Sequence, residues 1–89
     1  MVTRQLTING KVQGVFFRAS AKEMAEKLGL VGWVKNTREG NVEAVVTGTI
    51  ESVTEFVNWC HKGPERAQVS DVAVVEKGLE NFTSFKIIR

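Results

Sequence analysis

The sequence predicts an α+β sandwich in which one antiparallel sheet carries two helices on a single face. The predicted order is strand, helix, strand, strand, helix, strand (βαββαβ), finished by a short closing strand. Three observations predict it. Two segments of similar length carry one apolar stripe each at helical spacing, so each has one face to bury. The segments around them lack that spacing and read as strands bounded by turn residues. The chain has 89 residues, enough for one domain over 1–89, because two halves would each be too short to bury a core.

Residues 2–10 (VTRQLTING) alternate, with Leu6 and Ile8 on one side and Thr7 and Asn9 on the other, as in a half-buried strand. Residues 11–17 (KVQGVFF) contain a glycine and no helical period, and read as a loop. Phe17, Ala21, Met24, Ala25 and Leu28 then form the first helical stripe, with Ser20 and Glu23 as a capping box and Gly29 as the C-terminal cap. Residues 30–36 are the next strand, TREG the turn, and 41–48 the returning strand of a hairpin. Val53, Phe56, Val57 and Cys60 mark a second helix over about 51–62, with Ser52 and Glu55 as its capping box, and Gly63-Pro64 stops it. Residues 68–77 are a strand and 82–88 the closing strand. Two helices on one face of a single sheet in this order make the split βαβ arrangement of ferredoxin-like domains. That fold hosts many functions, so function has to be argued from a site.

Composition removes several classes. Hydrophobic residues make up 43% and charged residues 25%, as in ordinary globular domains. No apolar run nears the roughly 18 residues of a membrane span, and no segment reads as a signal peptide, which leaves the cytoplasm as the expected location. One cysteine excludes an internal disulfide, and one cysteine, one histidine (His61) and one aspartate (Asp71) make a Cys/His metal site unexpected. A net charge of +2 does not describe a general nucleic-acid binder. Charge placement says more. From Met1 to Lys22 the chain has Arg4, Lys11, Arg18 and Lys22 and no acidic side chain, a local positive field suited either to a small anion or simply to a solvated basic face.

Within that field lies the loop Lys11-Val12-Gln13-Gly14-Val15-Phe16-Phe17-Arg18. A strand-to-helix loop can turn successive backbone N–H groups onto an anion, aided by the helix N-terminus, and an arginine at the helix entrance can add two parallel charge-assisted bonds. No Lys-Ser or Lys-Thr follows the glycine, so it is not a nucleotide P-loop. A plain βα connection with a solvent-facing Arg18 accounts for the residues as well. Asn36, at a strand end, can hold a water through its amide or can merely form the turn.

Cys60-His61-Lys62-Gly63-Pro64-Glu65-Arg66 has the Cys-x-x-Gly-x-x-Arg spacing of cysteine-dependent phosphatases. Its context opposes that chemistry. Cys60 belongs to a core stripe near a helix C-terminus, whose negative pole disfavours a thiolate, and Pro64 removes an N–H from the cradle. An RNA-recognition surface needs aromatics in the first and third strands, and QLTING and NVEAVVTG have none. A small-molecule regulatory module stays open at this level.

Taken together, the motifs resemble the acylphosphatase family. Gly10 to Arg18 (GKVQGVFFR) is similar to its G-R/K-V-Q-G-V-x-F-R motif, and Leu28 to Asn36 (LGLVGWVKN) to its L-G-L-x-G-W-V-x-N motif. Gly40 with Asn41-Val42-Glu43, Gly63-Pro64 with Ala67 and Val69, and Phe85-Lys86-Ile87 also fit, so the likeness spans nearly the whole chain. There are two departures: Glu39-Gly40 where Asp-Gly is commoner, and Phe16 where a small residue is frequent.

The resemblance implies hydrolysis of the carboxyl-phosphate bond of acyl phosphates, such as acetyl phosphate, carbamoyl phosphate or 1,3-bisphosphoglycerate. Arg18 then corresponds to the phosphate-binding arginine and Asn36 to the water-positioning asparagine. The loop Gln13, Gly14, Val15, Phe16, Phe17 and Arg18 corresponds to the phosphate cradle, which inorganic phosphate or sulfate should also occupy. The implied enzyme is a monomer that needs no metal or other cofactor and has no nucleic-acid or membrane partner.

Overall fold

The computed structural model describes residues 1–89. Its elements are β1 (Val2–Lys11), α1 (Phe17–Lys27), β2 (Val31–Asn36), β3 (Val42–Gly48), α2 (Ile50–Lys62), β4 (Gln68–Lys77) and β5 (Phe85–Ile88). They form one five-stranded sheet of order β4-β1-β3-β2-β5 with the helices on one face, the ferredoxin-like arrangement. The pairs β4·β1, β1·β3 and β3·β2 are antiparallel. The closing strand departs from the expected all-antiparallel sheet, because β5 pairs parallel to β2, with Val34 opposite Ile87. β4 and β5 lie on opposite edges, so the chain between them must cross the sheet, and it arrives at β2 running in the same direction.

That crossing also shortens the closing strand from the expected 82–88. Glu80 N–H donates to Thr3 Oγ1 at 2.9 Å, and Thr47 Oγ1 donates to the Glu80 carbonyl at 2.8 Å. The crossing segment is thereby pinned to neighbouring β1 and β3, and contact with the edge of β2 begins only at Ser84, whose carbonyl accepts from Gly32 N–H at 3.0 Å.

The core lies between sheet and helices. Leu6, Ile8, Val34, Val42, Ala44 and Val46 face Phe17, Ala21 and Ala25 of α1 and Val53, Phe56 and Cys60 of α2. Alternation along β2 puts Asn36 on the same face as Val34, at the strand end.

Neither expected capping box forms. α1 begins at Phe17 because Val15 and Phe17 are both drawn into the core, and Phe16 turns the chain between them with φ 64°, so Ser20 is already inside the helix. α2 is capped one turn earlier than expected, where Thr49 Oγ1 accepts from Ser52 N–H at 3.2 Å. The end of α1 is as expected. Gly29 N–H donates to the Glu26 carbonyl at 3.1 Å and Leu30 N–H to that of Ala25 at 2.8 Å, the paired bonds of a Schellman motif.

Candidate active site

A cavity of about 320 Å³ opens where the end of β2, the end of β5 and the first turn of α1 meet. Gly14, Phe16, Phe17 and Arg18 from the loop and helix entrance line it, together with Asn36 from β2. Residues distant in sequence thus come to one hollow. The parallel pairing of β2 and β5 is essential to it, since it sends Ile87 and Arg89 to the same end of the sheet as Asn36.

The loop's electrostatics follow from its hydrogen bonding. No backbone N–H from Gln13 to Ala19 donates to a partner in the chain; Ser20 N–H, bonded to the Phe16 carbonyl at 3.1 Å, is the first that does. These donors gather around the positive end of α1, where free N–H groups attract anions. Gly14 contributes a bend with φ 73° and no side chain to block the approach. Arg18 is half-buried and forms no ion pair, while the chain's ion pairs use Arg4, Lys22, Lys35 and Lys77. No carboxylate side chain lines the cavity. A half-buried guanidinium without an internal counter-ion, beside unspent N–H groups, is equipped to take an anion.

Two residues of the expected cradle keep their side chains elsewhere. Val15 is buried in the core. Gln13 turns its side chain to the β2–β3 turn, where Nε2 donates to the carbonyls of Thr37 and Asn41, each at 2.8 Å. That turn is also braced internally, with Thr37 N–H donating to the Asn41 carbonyl at 2.9 Å and Asn41 N–H donating to Thr37 Oγ1 at 3.1 Å. The loop that offers the N–H groups is therefore tied to the turn directly after Asn36. The Asn36 side chain makes no hydrogen bond within the protein. Asn36 also lines a second hollow, of about 400 Å³, formed with polar residues that include Thr7, Lys35 and Asn41.

Ala19, Ile87 and Arg89 also line the cavity and were not identified from sequence. Ala19 could have been found, since it follows Arg18 at the helix entrance. Ile87 and Arg89 depend on the parallel edge pairing, which leaves no local trace.

Phe17 holds the helix entrance in place. Its ring packs against Trp59 at 5.3 Å between centroids. The cysteine motif lies outside the cavity. Cys60 is 0% exposed in the core, and burial pushes its thiol up, away from a thiolate.

The family model described as Acylphosphatase matches residues 4–87. An acylphosphatase of Rubrobacter xylanophilus is 53% identical over 70 residues, which cover 79% of this chain and 64% of that one. One of Marinobacter nauticus is 46% identical over 82 residues, covering 91% and 89% respectively. The crystal structure of acylphosphatase from Bacillus subtilis superposes with a TM-score of 0.97 at 34% identity, covering 100% of both chains.

Proposed function

The chain belongs to the acylphosphatase family, hydrolases that act on the acid anhydride of acyl phosphates, and on that premise we propose that Arg18 and the loop N–H groups bind the substrate phosphate while Asn36 positions the attacking water. The observation that carries this reading is the cavity in which an unpaired Arg18, unspent N–H groups and an uncommitted Asn36 converge.

The chemistry suits so small a set of groups. The water oxygen attacks phosphorus, and the bond from phosphorus to the acyl oxygen breaks. The acyl group leaves as a carboxylate with the bonding electron pair. A carboxylate is a good leaving group, so no general acid is needed beside it. The protein's tasks are to position the water and to stabilise charge on the equatorial phosphoryl oxygens. Arg18 and the amides serve the second task in the ground state and more strongly in the transition state. The Asn36 amide serves the first. A neutral amide is a poor base, so the water's proton passes to a phosphoryl oxygen and the products are carboxylate and dihydrogen phosphate. The positive charge required comes from the protein itself, and the reaction as proposed uses no metal.

The proposed enzyme acts as a monomer. No helix is long and apolar enough to cross a membrane, and the proposed location is the cytoplasm. The deciding test is hydrolysis of benzoyl phosphate beside p-nitrophenyl phosphate, each with and without a chelator. Turnover of the anhydride alone, unchanged by chelator, is expected. Turnover of the ester, or loss of activity with chelator, would overturn the reading.

A further inference from the structure

We infer that Phe16 is a specificity-determining residue, whose ring forms one wall of an acyl subsite and favours acyl phosphates with a flat, apolar acyl group. This rests on the reaction proposed above and concerns the half of the substrate that the phosphate cradle does not read.

The cavity lining is of two chemical kinds. Arg18 and the loop N–H groups supply its anion-binding part. Beside Gly14, Asn36 and Arg89, the remaining lining is apolar: Val12, Phe16, Phe17, Ala19 and Ile87. Val12 and Phe17 are already committed to the core, at 1% and 2% exposure. Ala19 and Phe16 are exposed and Ile87 half-buried, so these three have apolar surface left to offer. Phe16 offers most, with 71% of its surface open.

Two local features make a phenylalanine at this position costly. Its φ of 64° lies in the left-handed region, where it is the only non-glycine residue of the chain. It also exposes an aromatic ring that the core does not use. A glycine or asparagine would make the same turn more comfortably. A residue that is unfavourable for its backbone and unused by the fold, yet lines the cavity beside Arg18, points to a role in binding. With phosphate held at the helix entrance, the acyl group extends from it along the remaining lining. An aromatic acyl group can meet the Phe16 ring in offset or edge-to-face contact, whereas an acetyl group is too small to gain much from it.

The experiment compares kcat/KM for benzoyl phosphate and acetyl phosphate in the unmodified protein and in Phe16→Asn, Phe16→Gly and Phe16→Trp. Competitive inhibition by inorganic phosphate reports the cradle in each. The benzoyl-to-acetyl ratio is expected to fall roughly three- to tenfold in the Asn and Gly variants, as for loss of one aromatic contact, and to be retained in the Trp variant. An unchanged ratio in both Asn and Gly variants overturns the proposal. A parallel loss on both substrates together with weaker phosphate inhibition also overturns it, because Phe16 would then serve only the shape of the loop. If the unmodified protein hydrolyses neither substrate, it is the underlying reaction that fails, and the subsite falls with it.

Discussion

The side-chain amide of Gln13 donates to the main-chain carbonyl of Thr37 at 2.8 Å, and the same nitrogen reaches the carbonyl of Asn41 at 2.8 Å. One side chain thus bolts the loop preceding α1 to the turn following Asn36. The phosphate-binding and water-positioning halves of the proposed site are held at a set separation by this link. Neither half has to close on the other, so the geometry can be formed before substrate arrives, which lowers the cost of ordering at the moment of reaction.

Gln13→Ala removes both bonds and leaves two carbonyls to find water. Each neutral bond is worth about 1 kcal/mol net, so a modest fall in melting temperature is expected. The fall in kcat should be larger in proportion, up to ~10²-fold, because a misplacement near 1 Å has that effect on a positioned reaction. Steady-state kinetics beside a thermal melt check this. A variant with normal kcat would show the link to be dispensable.

Arg18→Ala should weaken phosphate binding and lower kcat together, since the contact proposed between the guanidinium and the phosphoryl group operates in both ground and transition states. Arg18→Lys should rescue only in part, because a point charge cannot reproduce a planar fork. Phosphate at ~100 times its Kd should stabilise the unmodified protein by about 2.7 kcal/mol, and this stabilisation should shrink in both variants. Melting curves taken with increasing phosphate measure it.

Asn36→Ala should behave differently. A loss in kcat of roughly 10²–10³-fold is expected, as for removal of one preorganised polar contact, with phosphate-dependent stabilisation nearly intact. Asn36→Asp keeps the shape but brings a negative charge towards an anionic substrate, and should be no better at neutral pH. Should Asn36→Ala instead lose phosphate binding and turn over normally at saturation, Asn36 would be an anion ligand.

Gly63→Ala should reach the site indirectly. Gly63 closes α2 with φ 69°, and a Cβ there would lie 2.7 Å from Phe17 Cε2 and 3.2 Å from Ala67 Cβ. The ring that would have to shift belongs to the residue before Arg18. Destabilisation of roughly 1–3 kcal/mol is expected from the combined strain and crowding. Phosphate inhibition should weaken at the same time. Chemical denaturation and an inhibition constant test the two effects separately.

Cys60 should be silent in catalysis and visible in stability. Burial raises its thiol in the folded state, whereas an unfolded cysteine ionises near pH ~8.5. The proton is therefore held more tightly in the native protein. This stabilisation is fully present below about pH 8.5 and declines as pH rises above it. Cys60→Ala should show a shallower alkaline decline in its urea midpoint and near-normal kcat. Iodoacetamide should modify the native protein slowly and the unfolded chain readily. A hundredfold fall in the turnover of folded Cys60→Ala would return the cysteine to the centre of the chemistry.

The sequence by itself determined the elements whose cause is local. The apolar stripe from Phe17 to Leu28 and that from Val53 to Cys60 set two helices, each with one face to bury. The alternation of Leu6 and Ile8 with Thr7 and Asn9 set the face of β1. Gly29 placed the end of α1, because a left-handed cap is a property of one residue and its neighbours. The likeness of the Gly10–Arg18 and Leu28–Asn36 motifs to a known family indicated the residues from which to build a site. What only the tertiary structure decided depends on contacts between distant segments. Ile87 and Arg89 reach the cavity because β5 crosses to the far edge and pairs parallel with β2. The Gln13 side chain turns from the cradle to the carbonyls of Thr37 and Asn41. Helix α1 starts at Phe17 rather than at a Ser20 cap because the core draws in Val15 and Phe17 on either side of Phe16. Periodicity carries information over a turn or two of chain. Edge pairing, a bond spanning 24 residues and the burial of two side chains are settled by the whole molecule packing at once, and they can override a cap worth only about 1 kcal/mol.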